Sequence, residues 1–272
     1  MRGRSTSGID EPMRTWIFLR GLTRESRHWG DFEESFRACV PDSRVVTLDL
    51  PGNGSLNHLA SPTDIQEMTR HCRDEVSHRG LGPPYNVLAM SLGAMVAVAW
   101  AHAHPGDIAR CVLVNTSLRP FSPFYRRLRP RNYLRLIKLA LLGGSARERE
   151  QSILHLTSRL RPDAADVLND WIAFRKEHPV SRHNAFRQLY AAARYRAPLE
   201  RPAAALLLLA SQNDALVHVG CSQDLAKVWR CELRIHPRAG HDLPLDDGQW
   251  VAAQVLRWIA DQDGTRPALR PR

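Results

Sequence analysis

The sequence predicts an α/β fold in which a mostly parallel sheet is flanked by helices and interrupted by an inserted helical segment. Short apolar, β-rich runs recur along the chain with helical patterns between them. Near-continuous apolar strands of this kind are typical of a parallel sheet covered on both faces. The chain has 272 residues, 43% of them hydrophobic, and can bury one substantial core. A single domain with an insertion is therefore favoured over two domains.

Six apolar runs are predicted to be strands. They cover residues 15–20, 45–50, 85–90, 111–116, 205–211 and 233–236. The segments between them show helical spacing. Ahead of one such segment, Ser61 is predicted to be the helix N-cap, with Pro62 at the first helical position and Asp64 three residues after the cap. Residues 92–103 are apolar nearly all round, as in a helix packed deep against a sheet.

The alternation of strands and helices breaks between Leu118 and Pro198, where helical patterns are separated by prolines. We therefore expect a helical cap inserted between two strands. The predicted organisation is a first part of the core at 14–118, the cap at 119–197, a second part of the core at 198–263 and a disordered tail at 264–272.

Composition favours a cytoplasmic protein without metal or cofactor. The first 13 residues contain no apolar stretch of the kind found in a secretory signal, and no run approaches the ~20 apolar residues of a membrane span. The five cysteines are widely spaced, without a CxxC pair or a Cys/His spacing typical of a metal site. We expect reduced thiols, no membrane span, no metal and no cofactor. The oligomeric state is left open.

Residues 86–95 run from an apolar strand through Ser91 into a helix of small residues. A tight strand-to-helix turn exposes a serine hydroxyl at the edge of a sheet, and small residues such as Ala89 and Gly93 let the helix approach the strand. Ser91 is therefore a candidate nucleophile. The alternative for this serine taken alone is a helix N-cap, a role that serine often fills.

A nucleophilic serine needs a base and a carboxylate that orients the base. Asp214 follows the predicted strand at 205–211, and His241 follows the predicted strand at 233–236. Taken singly, Asp214 is more often a turn former and His241 is one of 12 histidines. The order Ser91, Asp214, His241 is the one found when a serine hydrolase is built on a parallel sheet. Their joint placement after the correct strands predicts a catalytic triad.

An acyl-transfer site also needs donors for the oxyanion, usually two backbone amides. Leu92 directly follows the candidate nucleophile at a helix start, so its amide is one candidate. The other is the amide of Leu22, in the loop after the first predicted strand, where Gly21 permits the turn. The alternative for this loop is a plain strand-to-helix connection.

With these residues, the chain resembles the α/β-hydrolase superfamily, in its cap-bearing branch of esterases and lipases, haloperoxidase-like enzymes and carbon-carbon bond hydrolases. The resemblance covers residues 16–260 and is weakest in the insertion. It includes residues 48–55, Leu-Asp-Leu-Pro-Gly-Asn-Gly-Ser, which are similar to the family's Asp-x-Pro-Gly-His-Gly-x-Ser loop. It implies an α/β-hydrolase fold and a cofactor-free hydrolase. A serine nucleophile excludes the dehalogenase branch, which uses aspartate.

The sequence departs from the family pattern at three positions. Arg20 stands where the family usually has histidine before the oxyanion glycine, and Asn53 replaces the histidine of the second loop. Ala89 replaces the first glycine of the nucleophile motif, as in some lipases of the superfamily. Neither Arg20 nor Asn53 is a proton-transfer position of the triad, so these two changes bear on the shape of the substrate more than on catalysis.

The net charge of +10 is concentrated in the insertion. Residues 119–196 contain 17 arginines and lysines against six acids, whereas the rest of the chain contains 21 against 22. One interpretation is a solvated arginine-rich face. The other is a cationic lid that attracts an anionic or carrier-bound acyl substrate, or a lipid headgroup, to the serine. The candidate substrate-binding residues are Gly21, Phe121, Phe124, Tyr125, Arg126 and Arg127, although the aromatic ones could equally pack the cap onto the core.

The sequence therefore predicts a serine hydrolase that cleaves a carboxylic ester or related acyl bond in a small-molecule substrate. Because a triad fixes the nucleophile and not the acceptor, acyl transfer and carbon-carbon bond hydrolysis are alternatives with the same residues. A further alternative is a ligand-binding relative that no longer turns over. Nucleic acid is not expected as a partner, since the chain has no motif that reads DNA or RNA.

Overall fold

The computed structural model describes residues 13–141 and 144–264. Strands and helices alternate in this part of the chain. The strands are β1 (Arg14–Leu19), β2 (Ser43–Leu48), β3 (Tyr85–Met90), β4 (Ile108–Val114), β5 (Ala205–Ser211) and β6 (Glu232–His236). The helices are α1 (Phe32–Cys39), α2 (Ile65–His78), α3 (Leu92–Ala103), α4 (Phe124–Arg127), α5 (Tyr133–Leu141), α6 (Ala146–Thr157), α7 (Ala165–Glu177), α8 (Arg182–Arg194), α9 (Gly220–Trp229) and α10 (Leu243–Gln262). Short 3-10 turns lie at Ser26–Trp29, Gly54–Leu56 and Pro130–Asn132.

The strands of the described residues form one parallel sheet in the order β2-β1-β3-β4-β5-β6. In the register of β1, Leu19 lies opposite Leu48 of β2 and Ala89 of β3. Because every pair is parallel, the carboxyl ends of all these strands lie along one edge of the sheet. The predicted α/β fold is confirmed, and each predicted strand is present with ends displaced by at most three residues.

Two apolar clusters cover the two faces of the sheet. On β1, Ile17 and Leu19 belong to the cluster formed with α2, α3 and α9, whereas Trp16 and Phe18 belong to the cluster formed with α1 and α10. The alternation follows from the two-residue period of a strand. Helix α3 is buried almost all round, as predicted, because it packs against the sheet on one side and α2 and α8 on others.

The predicted start of α2 is wrong by three residues. Asp64 is the N-cap, and its side chain accepts a hydrogen bond from the Gln66 amide. Ser61 is instead buried, and its hydroxyl donates to the Pro51 carbonyl at 2.8 Å. Because Ser61 is bound to the loop after β2, it does not cap the helix, and Asp64 is the N-cap residue instead.

The segment between β4 and β5 contains α4 to α8. Helices α6 and α7 pack together through a separate small cluster centred on Leu154, Leu168 and Trp171. A capping box at Ser145 and Glu148 begins α6. This cluster is distinct from the two that cover the sheet.

Two predictions concern residues outside the part of the chain that the structure describes. Residues 1–12, where no secretory signal is expected, and all but the first residue of the predicted tail at 264–272 lie outside the described residues. Between residues 13 and 264, apart from 142 and 143, no helix is long and apolar enough to cross a membrane.

Candidate active site

Ser91 lies in the sharp turn between β3 and α3. Its backbone has φ 53° and ψ −111°, a conformation that costs a non-glycine residue about 1–3 kcal/mol. Its amide donates to the Val114 carbonyl at 3.0 Å, so the turn is attached to the end of β4. Within the described residues, the Ser91 side chain makes no capping hydrogen bond to α3. The N-cap alternative therefore does not explain this serine.

Two glycines let neighbouring segments approach the Ser91 turn. A Cβ atom on Gly93 would lie 2.5 Å from the Leu19 carbonyl oxygen, so only glycine lets α3 pack this closely on the end of β1. A Cβ atom on Gly21 would lie 3.2 Å from Ser91 Cβ and 3.8 Å from Ser91 Oγ. Gly21 is not among the residues with positive φ. Close approach to Ser91, and not the turn conformation expected from the sequence, explains this glycine.

His241 and Asp214 form a buried hydrogen-bonded pair. His241 Nδ1 lies 2.7 Å from Asp214 Oδ2. The other carboxylate oxygen accepts hydrogen bonds from the Leu216 and Val217 amides at 2.7 and 2.9 Å. These amides fix the carboxylate, and the carboxylate fixes the imidazole. With Nδ1–H donated to Asp214, Nε2 is the ring nitrogen that remains to accept a proton.

The histidine loop (residues 237–242) is held to the sheet by Asn115, which directly follows β4. The Asn115 side-chain amide donates to the carbonyls of His241 at 2.8 Å and Gly240 at 3.2 Å. It also donates to the Ser211 hydroxyl at 3.0 Å, while its oxygen accepts from the Ser211 amide at 2.8 Å. Asn115 has φ 45°, a left-handed conformation that asparagine tolerates better than most residues. One buried side chain thus connects the ends of β4 and β5 to the histidine loop.

The histidine loop also contacts the inserted segment. Asp246 of α10 accepts hydrogen bonds from the Gly240 amide at 2.6 Å and from the Arg159 amide at 2.9 Å. The Asp242 amide donates to the Thr157 carbonyl at 2.8 Å. A Cβ atom on Gly240 would lie 2.6 Å from that same carbonyl oxygen. The end of α6 is therefore part of the support of the histidine.

Arg20 and Asp242 form a buried, bidentate ion pair beside the site. The two guanidinium nitrogens donate to the two carboxylate oxygens at 3.1 and 2.6 Å. The guanidinium carbon lies 4.8 Å from the centre of a Trp29 ring, and one guanidinium nitrogen lies 3.6 Å from Met90 Sδ. Arg20 thus joins the loop after β1 to the histidine loop.

The second loop, at residues 48–55, is connected to the loop after β1 by Gln188 of α8. Gln188 accepts a hydrogen bond from the Thr23 amide at 2.8 Å and donates to Asn53 Oδ1 at 2.8 Å. It also donates to the Ser61 hydroxyl at 3.0 Å. Asn53 is fully buried. Asn53 therefore binds the inserted segment through Gln188.

The pKa of His241 is raised above the ordinary histidine value. Burial by itself lowers the pKa, because it disfavours the charged ring. The charge of Asp214, its hydrogen bond to Nδ1 and the charge of Asp242 outweigh burial, although Arg20 opposes them. The site therefore favours an imidazolium, the form that a base acquires when it accepts a proton.

The model of the alpha/beta hydrolase family matches residues 16–254. This match covers most of the chain, including the three residues of the predicted triad. The chain belongs to the alpha/beta hydrolase family.

Solved structures of the same fold cover most of this α/β-hydrolase. A hydrolase from Pseudomonas aeruginosa PA01 aligns with a TM-score of 0.73 and 19% identity, covering 90% of this chain and 89% of the other. An esterase from Thermogutta terrifontis aligns with a TM-score of 0.71 and 17% identity, covering 92% and 90%. A 2-hydroxy-6-oxo-6-phenylhexa-2,4-dienoate hydrolase from Rhodococcus sp. strain RHA1 gives 0.66 and 18%, covering 92% and 88%. At these identities the similarity shows the fold alone.

The predicted aromatic substrate residues of this α/β-hydrolase do not form a common lining. Phe124 and Tyr125 are 72% and 51% exposed and contact each other at the surface. Phe121 packs on Trp229, with ring centroids 5.2 Å apart. Phe121 therefore packs the inserted segment onto α9, whereas Phe124 and Tyr125 face solvent. The role of these aromatic residues in substrate binding stays a prediction.

Arg126 and Arg127 attach α4 to other elements of this α/β-hydrolase. Arg126 lies 3.4 Å from Asp224 of α9 and is 44% exposed. Arg127 donates to the Ala192 carbonyl of α8 at 2.7 Å. Burial lowers the pKa of the Arg127 guanidinium, and the nearby Arg119 lowers it further. Of the two, Arg126 is the one that offers charge to solvent.

Sequence reasoning did not assign three supporting residues of this α/β-hydrolase: Asn115, Asp246 and Gln188. Asn115 lies near the end of the predicted strand at 111–116, so its place close to the carboxyl edge of the sheet is a usable signal. Asp246 and Gln188 have no comparable signal. They lie within helical patterns, where polar residues ordinarily face solvent.

Proposed function

We propose that this α/β-hydrolase is a serine hydrolase that cleaves a carboxylic ester or a related acyl bond. The observation that carries the proposal is the buried His241–Asp214 hydrogen bond of 2.7 Å. Asn115 holds the histidine loop to the end of β4, the strand end to which the Ser91 amide donates its hydrogen bond. Asn115 directly follows Val114, whose carbonyl binds the Ser91 amide. A nucleophile, a base and an orienting carboxylate then share one edge of the sheet.

The proposed reaction begins when His241 Nε2 accepts the proton of Ser91 Oγ as that oxygen attacks the substrate carbonyl. The resulting oxyanion receives hydrogen bonds from the amides of Leu22 and Leu92. Asp214 stabilises the imidazolium without taking its proton. His241 then protonates the leaving alkoxide as its bond to the acyl carbon breaks. A water molecule, deprotonated by His241, attacks the acyl carbon, and His241 returns that proton to Ser91 Oγ as the acid leaves.

The strained backbone of Ser91 and the contact of Gly21 with it support this assignment. A residue held at positive φ in a turn between a strand and a helix presents its side chain away from both. Gly21 lies against Ser91, and Leu22 is the next residue. This contact supports the choice of the Leu22 amide as a donor to the oxyanion that forms when the substrate carbonyl carbon bonds to Ser91 Oγ.

Activity should be lost on the acid side of an inflection that lies above the ordinary histidine pKa of about 6.5. The base must be neutral in the free enzyme, and the pKa of His241 is raised. As pH falls through this raised pKa, the imidazole becomes protonated and cannot accept the Ser91 proton. The pH dependence of kcat/KM for a neutral p-nitrophenyl ester measures this. An inflection below pH 6 would contradict the assigned environment of His241.

The reaction class should be measured with p-nitrophenyl esters of graded acyl chain length, in the presence and absence of added alcohols. A hydrolase releases the free acid in both conditions, because water is the acceptor. Accumulation of the ester of the added alcohol would instead show acyl transfer, since the triad leaves the acceptor open.

We also propose that the basic inserted segment favours an anionic substrate. From residue 119 to residue 147 the sequence contains eight arginines and lysines and no acid. Arg126 and Arg131 of this stretch are exposed. Clustered cationic charge raises the encounter rate with anions by an amount that falls as salt rises.

Substituting glutamine for both Arg126 and Arg131 should lower kcat/KM for an anionic acyl ester by about 3- to 10-fold at low ionic strength. It should leave kcat/KM for a neutral ester of the same chain length unchanged, because a neutral substrate is not attracted by the cationic charge. The matched control is glutamine at Arg70 and Arg230, two exposed arginines outside the inserted segment. Equal effects on both esters, or an equal effect of the control, would refute the role of the basic segment.

A further inference from the structure

We propose that Arg20 and Asp242 are positioning residues that lock the loop after β1 to the histidine loop and balance the charge beside His241. The inference rests on the proposed function, since it concerns how that triad is held. It assigns a task to the residue at which this chain departs from its family's usual histidine.

The first observation is the geometry of the pair. Both side chains are almost completely buried, at 2% and 3% exposure. The contact is bidentate, with nitrogen–oxygen distances of 3.1 and 2.6 Å. A planar guanidinium and a carboxylate held by two parallel hydrogen bonds have one relative orientation. The pair therefore fixes angle as well as distance between the two segments that carry it.

The second observation is where the partners lie in the chain. Arg20 directly precedes Gly21, which packs against Ser91. Asp242 directly follows His241, and Met90, whose sulfur contacts the Arg20 guanidinium, directly precedes Ser91. One guanidinium thus touches a neighbour of the nucleophile and a neighbour of the base, and it extends from the loop that carries the candidate oxyanion amide.

The third observation is the burial itself. Removing two charges from water is costly, and a buried ion pair often stabilises a fold less than apolar residues of the same shape would. A function in stability alone is thus a poor explanation for this pair. Fixing a unique arrangement of two loops at the edge of the proposed site gives it a purpose that apolar packing would not fulfil as well.

The fourth observation is electrostatic. Three charged groups lie near His241: Asp214 in the loop after β5, Arg20 in the loop after β1 and Asp242 in the histidine loop. Arg159 and Asp246 pack around Gly240 of the same loop. The Asp242 charge raises the pKa of His241, and the Arg20 charge lowers it. Removing one member of the pair therefore leaves the other unopposed, and the two removals have opposite signs.

The test compares Asp242→Asn, Arg20→Met and the double variant with the wild type. Two quantities are measured as a function of pH: the rate at which a fluorophosphonate probe labels Ser91, and kcat/KM for a neutral p-nitrophenyl ester. At about pH 5.5, relative to its own plateau, Asp242→Asn should retain about threefold more reactivity than the wild type and Arg20→Met about threefold less. The double variant should return to the wild-type inflection. Plateau kcat should fall about 10- to 100-fold in all three, with a smaller change in KM, because the loops are no longer locked.

Arg20→Lys keeps the charge and loses the bidentate contact, so it should lower kcat while leaving the inflection in place. Because it introduces no uncompensated charge, it tests the locking even where Arg20→Met fails to fold. Arg37→Met, at an exposed ion pair on α1, is the control and should change neither quantity.

The outcomes separate this inference from the proposed function. Wild-type protein that is folded but not labelled would overturn both. Labelled wild type, combined with single variants whose inflections do not move or move in the same direction, would overturn the positioning role alone. A plateau kcat equal to that of the wild type in both Arg20→Lys and the double variant would also overturn the positioning role. The positioning role would be supported by pH inflections that move in opposite directions in the two single variants and return to the wild-type value in the double variant.

Discussion

Replacing Ser91 with alanine is expected to lower kcat for ester hydrolysis by about 10⁵- to 10⁶-fold. The reason is that the proposed nucleophile is lost while the rest of the site remains. Replacing His241 with alanine should have an effect of similar size, because serine without its base is a weak nucleophile at neutral pH. The double variant should be no worse than either single one, since the two residues act as a unit.

The matched control for Ser91 is Ser117, a buried serine that lies beyond the end of β4. Ser117→Ala should keep kcat within a fewfold of the wild type. Each variant is compared by initial rates on a short-chain p-nitrophenyl ester, with thermal unfolding as the test of folding. Ser91→Ala protein that is folded and retains a tenth or more of the wild-type rate would refute the proposed mechanism.

Replacing Glu150 with alanine is expected to lower the free energy of unfolding by about 3–5 kcal/mol. Glu150 lies on α6, is 1% exposed and accepts a hydrogen bond from Arg24 at 2.7 Å. Its other oxygen is bound by Arg175 of α7. The Arg24 guanidinium also lies 4.1 Å from the centre of a Trp171 ring. Without the carboxylate, two cations remain in a largely buried place with no counter-charge.

The measurement is guanidinium-induced unfolding of the Glu150→Ala and Glu177→Ala variants. Glu177 forms an exposed ion pair with Arg27, so its removal should move the midpoint little. Equal midpoints for the two variants, or a loss of less than about 1 kcal/mol for Glu150→Ala, would show that the buried cluster does not hold the inserted segment to the core.

The same carboxylate makes stability depend on pH. Burial alone raises the pKa of Glu150, but the charges of Arg24 and Arg175 and their hydrogen bonds lower it below the ordinary value. A lowered folded-state pKa contributes stability above the unfolded-state pKa, and this contribution is lost as pH falls through the folded-state pKa. Wild-type stability should therefore decrease on acidification more steeply than that of Glu150→Gln.

The sheet could be predicted from the sequence because its strands are near-continuous apolar runs, which are typical of a parallel sheet covered on both faces. Tyr85 to Met90 is buried at every position, so its bounds were found without error. The predicted start of β4 is three residues late because Arg110 interrupts the apolar run, and Ala109 and Arg110 are only partly buried. Boundaries of this kind depend on hydrogen bonds to the neighbouring strand, which a single sequence does not display.

The support of the site could not be predicted because its contacts join residues far apart in the chain. Arg20 and Asp242 are 222 positions apart, and neither has a local pattern that indicates a partner. Glu150 lies in a helix rich in charge, where an acid ordinarily faces solvent, and only the packing of α6 against α7 and the loop after β1 buries it. Local periodicity predicts elements, whereas ion pairs of this type depend on how the elements meet.

The central claim is that Ser91 is a nucleophile activated by His241. The most direct test is to label the folded protein with a fluorophosphonate and to locate the modified residue by peptide mass spectrometry. We expect a single modification on the peptide that contains Ser91, absent from the Ser91→Ala variant and strongly slowed in His241→Ala. No modification of folded wild-type protein, or a modification at another serine that persists in Ser91→Ala, would contradict the claim.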